Sequence, residues 1–175
     1  LLRKLSAARG IEVHVVPLAC WQGQVVSSTR IRAALAQGDM PAVNAMLAQP
    51  YAVSLPVRHG RGNGRQWGFP TINQVYPGGL LVPREGVYIS RVTLADGTVH
   101  PGATGLGSRP PVNNDAADVT CETFLPGFSG DVYGEAARLV LCRYLWPTRR
   151  FDSVDGLRQM VQQAAAAALE SWQGA

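Results

Sequence analysis

Hydrophobic and polar positions change rhythm three times along the chain. Residues 11–18 (IEVHVVPL) are β-branched and apolar with little interruption, which predicts a buried strand. Ser27, Ser28 and Thr29 then offer capping hydroxyls ahead of an apolar helical stripe at Ile31, Ala34 and Leu35, and Gly38 terminates it. Asp39 caps a second short helix with Pro41 in its first turn; this helix continues through 42–47 and stops before Pro50. The first fifty residues therefore read as strand, loop, helix, helix.

Beyond Pro50 the rhythm shortens. β-rich runs stand at 51–57, 86–93, 119–124 and 138–145, and turn-forming clusters at 60–64, 77–79, 96–97 and 110–115 separate them. Strands alternating with Gly, Pro, Asn and Asp clusters predict an antiparallel barrel or sandwich. From Asp152 the helical period returns: Ser153 is the expected N-cap, with Leu157, Met160, Val161 and Ala164 on one face. No internal repeat is present, and the shift near Pro50 divides the chain into residues 1–50 and 51–175.

Composition adds bounds rather than detail. The chain is 46% hydrophobic and 16% charged over 175 residues, the balance of an ordinary globular protein. No apolar run is long enough to span a bilayer. The net charge of +4 suits a polyanionic small ligand, but its basic residues form no dense stripe, so no nucleic-acid partner is expected. Cys20, Cys121 and Cys142 make neither a disulfide framework nor a metal-binding pair, in keeping with a reducing compartment. The chain begins at Leu1 without methionine or a secretory signal, so a piece of a longer cytoplasmic protein is expected.

The densest chemical signal runs from Gly60 to Asn73 (GRGNGRQWGFPTIN). Gly60, Gly62, Gly64 and Gly68 allow a ligand close to backbone N–H groups, and Arg61 and Arg65 add charge suited to phosphate. Thr71 and Asn73 lie two residues apart, so on an extended backbone their oxygens point the same way. A Mg²⁺ ion shared with ATP phosphates needs a few hard oxygen ligands of this kind. Composition alone favours the plainer reading of the same segment, a glycine-rich hairpin with a proline-containing turn.

The order of the residues separates the two. Gly68-Phe69-Pro70-Thr71-Ile72-Asn73 resembles the G-F-P-T-A-N motif of riboflavin kinases, with Ile for the usual Ala. Around it stand further elements in the family's order: His59-Gly60-Arg61-Gly62 upstream, then Gly86-Val87-Tyr88, Cys121-Glu122-Thr123, Asp131-Val132-Tyr133-Gly134-Glu135 and Arg150-Phe151. The resemblance covers 51–169. It implies a mainly β, six-stranded antiparallel barrel with a C-terminal helix, ATP and riboflavin as substrates, ADP and FMN as products, and Mg²⁺ as the cofactor. Thr71 and Asn73 would hold the metal, and Gly62, Gly64, Arg65, Gly68 and Thr71 the ATP phosphates. Glu122, which strand alternation alone leaves as a surface glutamate, would be the catalytic base. Tyr133, Gly134, Glu135 and Phe151 would contact the flavin.

Residues 26–32 (VSSTRIR) carry a second resemblance, to the I-S-S-T-x-x-R motif of nucleotidylyltransferases, with Ser28, Thr29 and Arg32 as its triphosphate-binding members. Ahead of a riboflavin kinase module this matches the bacterial bifunctional arrangement of FMN adenylyltransferase followed by kinase. Residues 1–50 would then be the α/β tail of a Rossmann-like adenylyltransferase domain, in native contact with the rest of that domain. Its H-x-G-H motif is missing here, so adenylyl transfer by this chain itself is not expected. The kinase pattern also departs from the family: Phe124 replaces the histidine of E-T-H, Pro111 the threonine of R-P-T, Trp146 the arginine of L-R-P-E, and Gln162 and Gln163 stand where an aspartate is usual in the last helix. These departures keep open a rival reading, a flavin- or nucleotide-binding module with weakened turnover.

Overall fold

The computed structural model describes residues 2–60, 62–108, 119–149, 151 and 153–173. Helix α1 (Leu2–Ala7) leads into residues 11–19, which have no regular secondary structure. The predicted buried strand at 11–18 is thus absent, and Ile11, Val15, Val16 and Leu18 lie 58–81% exposed. Its local pattern suits a strand, but a buried strand needs neighbours to take its backbone N–H and C=O groups, and no described strand pairs with it. A two-residue-per-strand hairpin, β1 (Cys20–Trp21) and β2 (Gln24–Val25), follows.

The two predicted helices form where their caps place them. In α2 (Ser28–Gln37), Ser27 Oγ accepts from Arg30 N at 3.2 Å, and Gly38 closes the C-terminus at φ 77°. In α3 (Met40–Leu47), Asp39 Oδ1 accepts from Ala42 N at 3.1 Å. Leu35, Met40 and Val43 from these helices enter the same core as Val53, Tyr88, Leu139 and Leu141. The helices before the compositional shift at Pro50 thus dock on what comes after it.

Six strands make the main sheet: β3 (Ala52–Pro56), β4 (Thr71–Val75), β5 (Gly86–Thr93), β6 (Val99–Ser108), β7 (Val119–Phe124) and β8 (Ala136–Trp146), with a short helix α4 (Asn63–Gln66) between β3 and β4. Their order is β3-β8-β5-β6-β7-β4, antiparallel at every pairing. An Arg58–Asn73 bridge and a 2.8 Å bond from Gln74 Nε2 to Leu55 O draw the two edges together, so the barrel is nearly closed. The expected six-stranded barrel with a C-terminal helix is the observed fold.

Strand β6 escaped the sequence pattern because Pro101 and Gly102, Gly105 and Gly107 read as turn residues. Pro101 pairs with Arg91 of β5 at the part of β6 that β7 has not yet reached, where a missing donor costs no ladder bond on the β7 side. A Cβ on Gly102 would stand 2.6 Å from Ser90 Oγ and 2.8 Å from Thr123 Cγ2. That close approach goes with a buried line of hydroxyls, Ser90 to Thr104 at 2.7 Å and Thr104 to Thr123 at 2.8 Å, which satisfies each group inside the barrel. Helix α5 (Val154–Gln173), entered through Ser153 Oγ accepting from Gly156 N, lays Ala164, Ala165 and Ala168 against the outside of β5 and β6.

Candidate active site

Strand alternation divides β4 and β7 cleanly. Ile72, Gln74, Cys121 and Thr123 point into the barrel and are buried. Thr71, Asn73, Glu122 and Phe124 point outward, on the side that faces α5. The register places Asn73 directly opposite Glu122 and Thr71 opposite Phe124. Directly paired residues bring their Cβ atoms within roughly 4.5–5.5 Å. A hydroxyl, an amide and a carboxylate are therefore held on two rigid neighbouring strands.

These side chains form one wall of a cavity of about 570 Å³. The glycine-rich segment supplies a second wall through Gly60, Gly62, Gly64 and Arg65, with Trp67 and Phe69. The third wall is apolar: Val87 and Ala103 from the barrel, and Leu157, Met160, Val161 and Ala164 from α5. The predicted helical face of the last helix is thus the face that lines the cavity. A cleft of this size, mostly apolar with a few convergent polar groups, has the character of a small-molecule site.

The glycines act through space as well as through φ. Gly62 and Gly68 lie at φ 75° and 86°, backbone that other residues rarely adopt. Gly60 packs on Asn73: a Cβ there would stand 2.6 Å from Asn73 Nδ2 and 2.8 Å from Cγ and Oδ1. A Cβ on Gly64 would meet Phe69 O at 2.7 Å. The real contact in that place is the Phe69 N–H donating to Gly64 O at 2.9 Å, which folds the loop back onto β4. Asn73 Nδ2 also donates to Thr71 O at 3.3 Å, tying the amide to its own strand.

The expected site residues divide into those that converge and those that do not. Gly62, Gly64, Arg65, Thr71, Asn73, Glu122 and Tyr133 line the cavity. Gly68 lies beside it, in the turn that delivers Phe69 and Pro70. Gly134 and Glu135 sit in an exposed turn whose backbone clamps the end of β3: Gly134 N donates to Val57 O at 2.9 Å, and Val57 N to Glu135 O at 2.8 Å. Phe151 is half-buried against Gly156, with the Arg149 guanidinium 5.0 Å from its ring centroid, and does not line the cavity. Ser28, Thr29 and Arg32 are exposed at the start of α2, also outside it. Arg61, Pro111 and Arg150 lie outside the described residues.

Of the altered positions, Phe124 lines the cavity, Trp146 packs with Val87, Ala103 and Ala164 beneath α5, and Gln162 and Gln163 are exposed. Two contacts had no signal in the sequence. The His59 ring stacks on Tyr133 with centroids 3.7 Å apart, and both line the cavity. Arg158 of α5 reaches across to the carbonyl of Trp67.

A metal bound by protein alone would need more ligands than these strands offer. Among the described residues no group of three or more His, Cys, Asp or Glu is placed to hold an ion. Thr71 and Asn73 beside Glu122 instead suit a hard cation that brings most of its ligands with it, as Mg²⁺ does on phosphates. Also among the described residues, no helix is long and apolar enough to cross a membrane.

Known proteins share both the pattern and the shape. A bifunctional riboflavin kinase/FMN adenylyltransferase from Listeria monocytogenes is 32% identical over 146 residues, 83% of this chain and 46% of the relative. The enzyme of the same description from Escherichia coli K12 is 31% identical over 170 residues, 97% of this chain and 53% of the relative. The chain thus spans about half the length of the curated relatives it matches. A solved structure described as a macrolide-efflux protein from Streptococcus pneumoniae superposes with a TM-score of 0.83 at 26% identity, over 95% of this chain and 54% of that one. The likeness in shape is what that comparison carries. The family described as Flavokinase, riboflavin kinase, matches residues 47–172, which takes in the barrel, the glycine-rich segment, Glu122 and α5. The chain therefore belongs to the riboflavin kinase family and carries its kinase domain.

Proposed function

We propose that the cavity between β4, β7 and α5 is where ATP phosphorylates the 5′-hydroxyl of riboflavin. One observation carries this reading: Asn73 and Glu122 face each other across the β4–β7 pair, with Thr71 alongside, in a cleft whose opposite wall is apolar. A flavin has the same division, a flat apolar ring joined to a chain of hydroxyls. Its ring would lie against Phe124, Leu157, Met160 and Val161, with Tyr133 at the edge. The ribityl chain would then extend toward Glu122.

In the reaction the 5′-oxygen forms a bond to the γ-phosphorus while the bond from that phosphorus to the β,γ-bridging oxygen breaks. The products are FMN and ADP. Glu122 takes the hydroxyl proton as the new bond forms. Backbone groups around Gly62 and Gly64, with the Arg65 guanidinium, would hold the phosphates, while Gly68 shapes the turn beside them. Thr71 and Asn73 would hold Mg²⁺, which supplies charge neutralisation at the transferred group. Phosphoryl transfer asks mainly for positioning and electrostatics, so this set suffices. The brace from Gly60 and the bond to Thr71 O keep the Asn73 amide in one orientation before ligand arrives.

The same reading assigns residues 1–50 to the tail of an adenylyltransferase domain, with Ser28, Thr29 and Arg32 at its former triphosphate site. The longer parent would also convert FMN to FAD, and α2 and α3 would be the hinge by which that domain meets the barrel. The relatives' length and description support this.

Two substitutions separate the roles. Glu122→Gln lowers kcat by roughly 10²–10⁴-fold while nucleotide affinity, measured by titration with Mg·ADP, stays within a factor of two or so. Thr71→Ala weakens that titration. Unchanged turnover in Glu122→Gln removes Glu122 from the base role, and an unchanged isotherm in Thr71→Ala removes the metal assignment.

A further inference from the structure

Helix α5 is held in two different ways along its length. Its later part buries Ala164, Ala165 and Ala168 on the barrel. Its earlier part, with Leu157, Met160 and Val161, stands over the cavity and is only half-buried. Trp67, just after α4, lines the same cavity from the glycine-rich segment. Arg158 spans the gap: its Nε and Nη2 both donate to Trp67 O, each at 3.3 Å. Its third nitrogen, Nη1, donates to Asp155 Oδ1 at 3.2 Å, one turn earlier on the same helix. The guanidinium is thus oriented by Asp155 and aimed at a main-chain carbonyl of the segment that leads into Thr71.

We infer that Arg158 is a positioning residue that closes the mouth of the cavity. It ties the flavin wall on α5 to the glycine-rich segment, and so governs how firmly riboflavin is retained. The inference rests on the kinase reading above, because it names riboflavin as the occupant. Arg158 touches neither reacting group; it fixes the distance between two walls that do. The forked donor geometry is specific to arginine, since a lysine ammonium is a single point of attachment. Arg158 is 45% exposed, so water competes for the same donors and the effect is smaller than a buried charged bond would give.

The test is steady-state kinetics on Arg158→Met, which keeps the aliphatic stem and removes the fork. Riboflavin KM rises roughly three- to tenfold, while kcat and the KM for Mg·ATP change by less than a factor of about two. Arg158→Lys recovers part of the loss, and Asp155→Asn shows a smaller change of the same sign. Riboflavin KM at the wild-type value in Arg158→Met overturns the inference. So does a uniform loss in kcat and both KM values accompanied by a lower Tm, which marks a folding staple. Failure of the unaltered chain to make any FMN would instead sink the kinase reading itself, so the two failures are distinct.

Discussion

Gly60→Ala tests the site by displacing the proposed metal-holding amide of Asn73 without altering Asn73 itself. The backbone at Gly60 is outside the left-handed region, so alanine fits its φ without strain. Its methyl, however, would begin 2.6 Å from Asn73 Nδ2. Ordinary contact is near 3.5 Å, so the amide has to withdraw by roughly 0.9 Å. The end of a side chain moves rather than backbone, so the loss of stability stays at the low end of the about 1–3 kcal/mol typical of overpacking. Catalysis is less forgiving: a displacement near 1 Å in a positioning group costs up to about 10²-fold, or roughly 2.7 kcal/mol of transition-state stabilisation. The assay is kcat/KM for Mg·ATP at saturating riboflavin, in wild type, Gly60→Ala, Asn73→Ala and the double variant. The expected result is a loss of about 10- to 100-fold in Gly60→Ala and almost no further loss when it is added to Asn73→Ala. Equal losses in both backgrounds would show that the methyl acts elsewhere, on the ligand or the loop, and would refute the brace. A change below twofold in Gly60→Ala would refute it too.

Two stability predictions follow from the same structure. Gly38 ends α2 at φ 77°, and a Cβ there would stand 3.1 Å from the Tyr144 ring, so Gly38→Ala destabilises by at least about 1–2 kcal/mol in urea unfolding. A stabilised variant would contradict the left-handed cap. Burial pushes the Cys121 thiol up from 9.0 to about 12, and raises the Tyr76 and Tyr88 phenols as well. A raised acid keeps its proton longer in the folded chain than in the unfolded one, so its stabilisation is complete below about pH 9 and falls as the pH climbs toward 12. Urea midpoints should therefore be level from pH 7 to about 8.5 and decline above pH 9; a midpoint that rises over that interval would reverse the sign.

Local signals carried furthest where the physics is local. Ser27, Gly38 and Asp39 cap α2 and α3 as their side chains and φ requirements dictate, and the 86–93 and 119–124 runs became β5 and β7 with the expected ends. Where a neighbour decides, pattern failed in both directions. Residues 11–18 look like a strand and pair with no described strand, whereas β6 looks like turns and sits between two strands, where Gly102 admits Ser90 and Thr123. The site shows the same split. Thr71 and Asn73 were legible as a pair from their spacing, but β7 pairing, which places Glu122 opposite Asn73, is a long-range fact that spacing does not encode. Likewise the apolar stripe on α5 was readable as a helical face, while its role as a cavity wall, and the reach of Arg158 to Trp67 O ninety-one positions away, exist only once the chain is folded. Motif order supplied the link from the separate segments to one chemistry.

The measurement that bears most directly on the central claim is FMN formation by this chain from riboflavin and Mg·ATP, resolved by chromatography. Controls lack ATP or contain EDTA, and Glu122→Gln is run alongside. FMN is expected to form only with both ATP and the divalent ion, and to nearly disappear in Glu122→Gln. Riboflavin bound, as read by fluorescence quenching, but never phosphorylated by the folded wild-type chain would contradict it, leaving the cavity as a flavin-binding site without turnover.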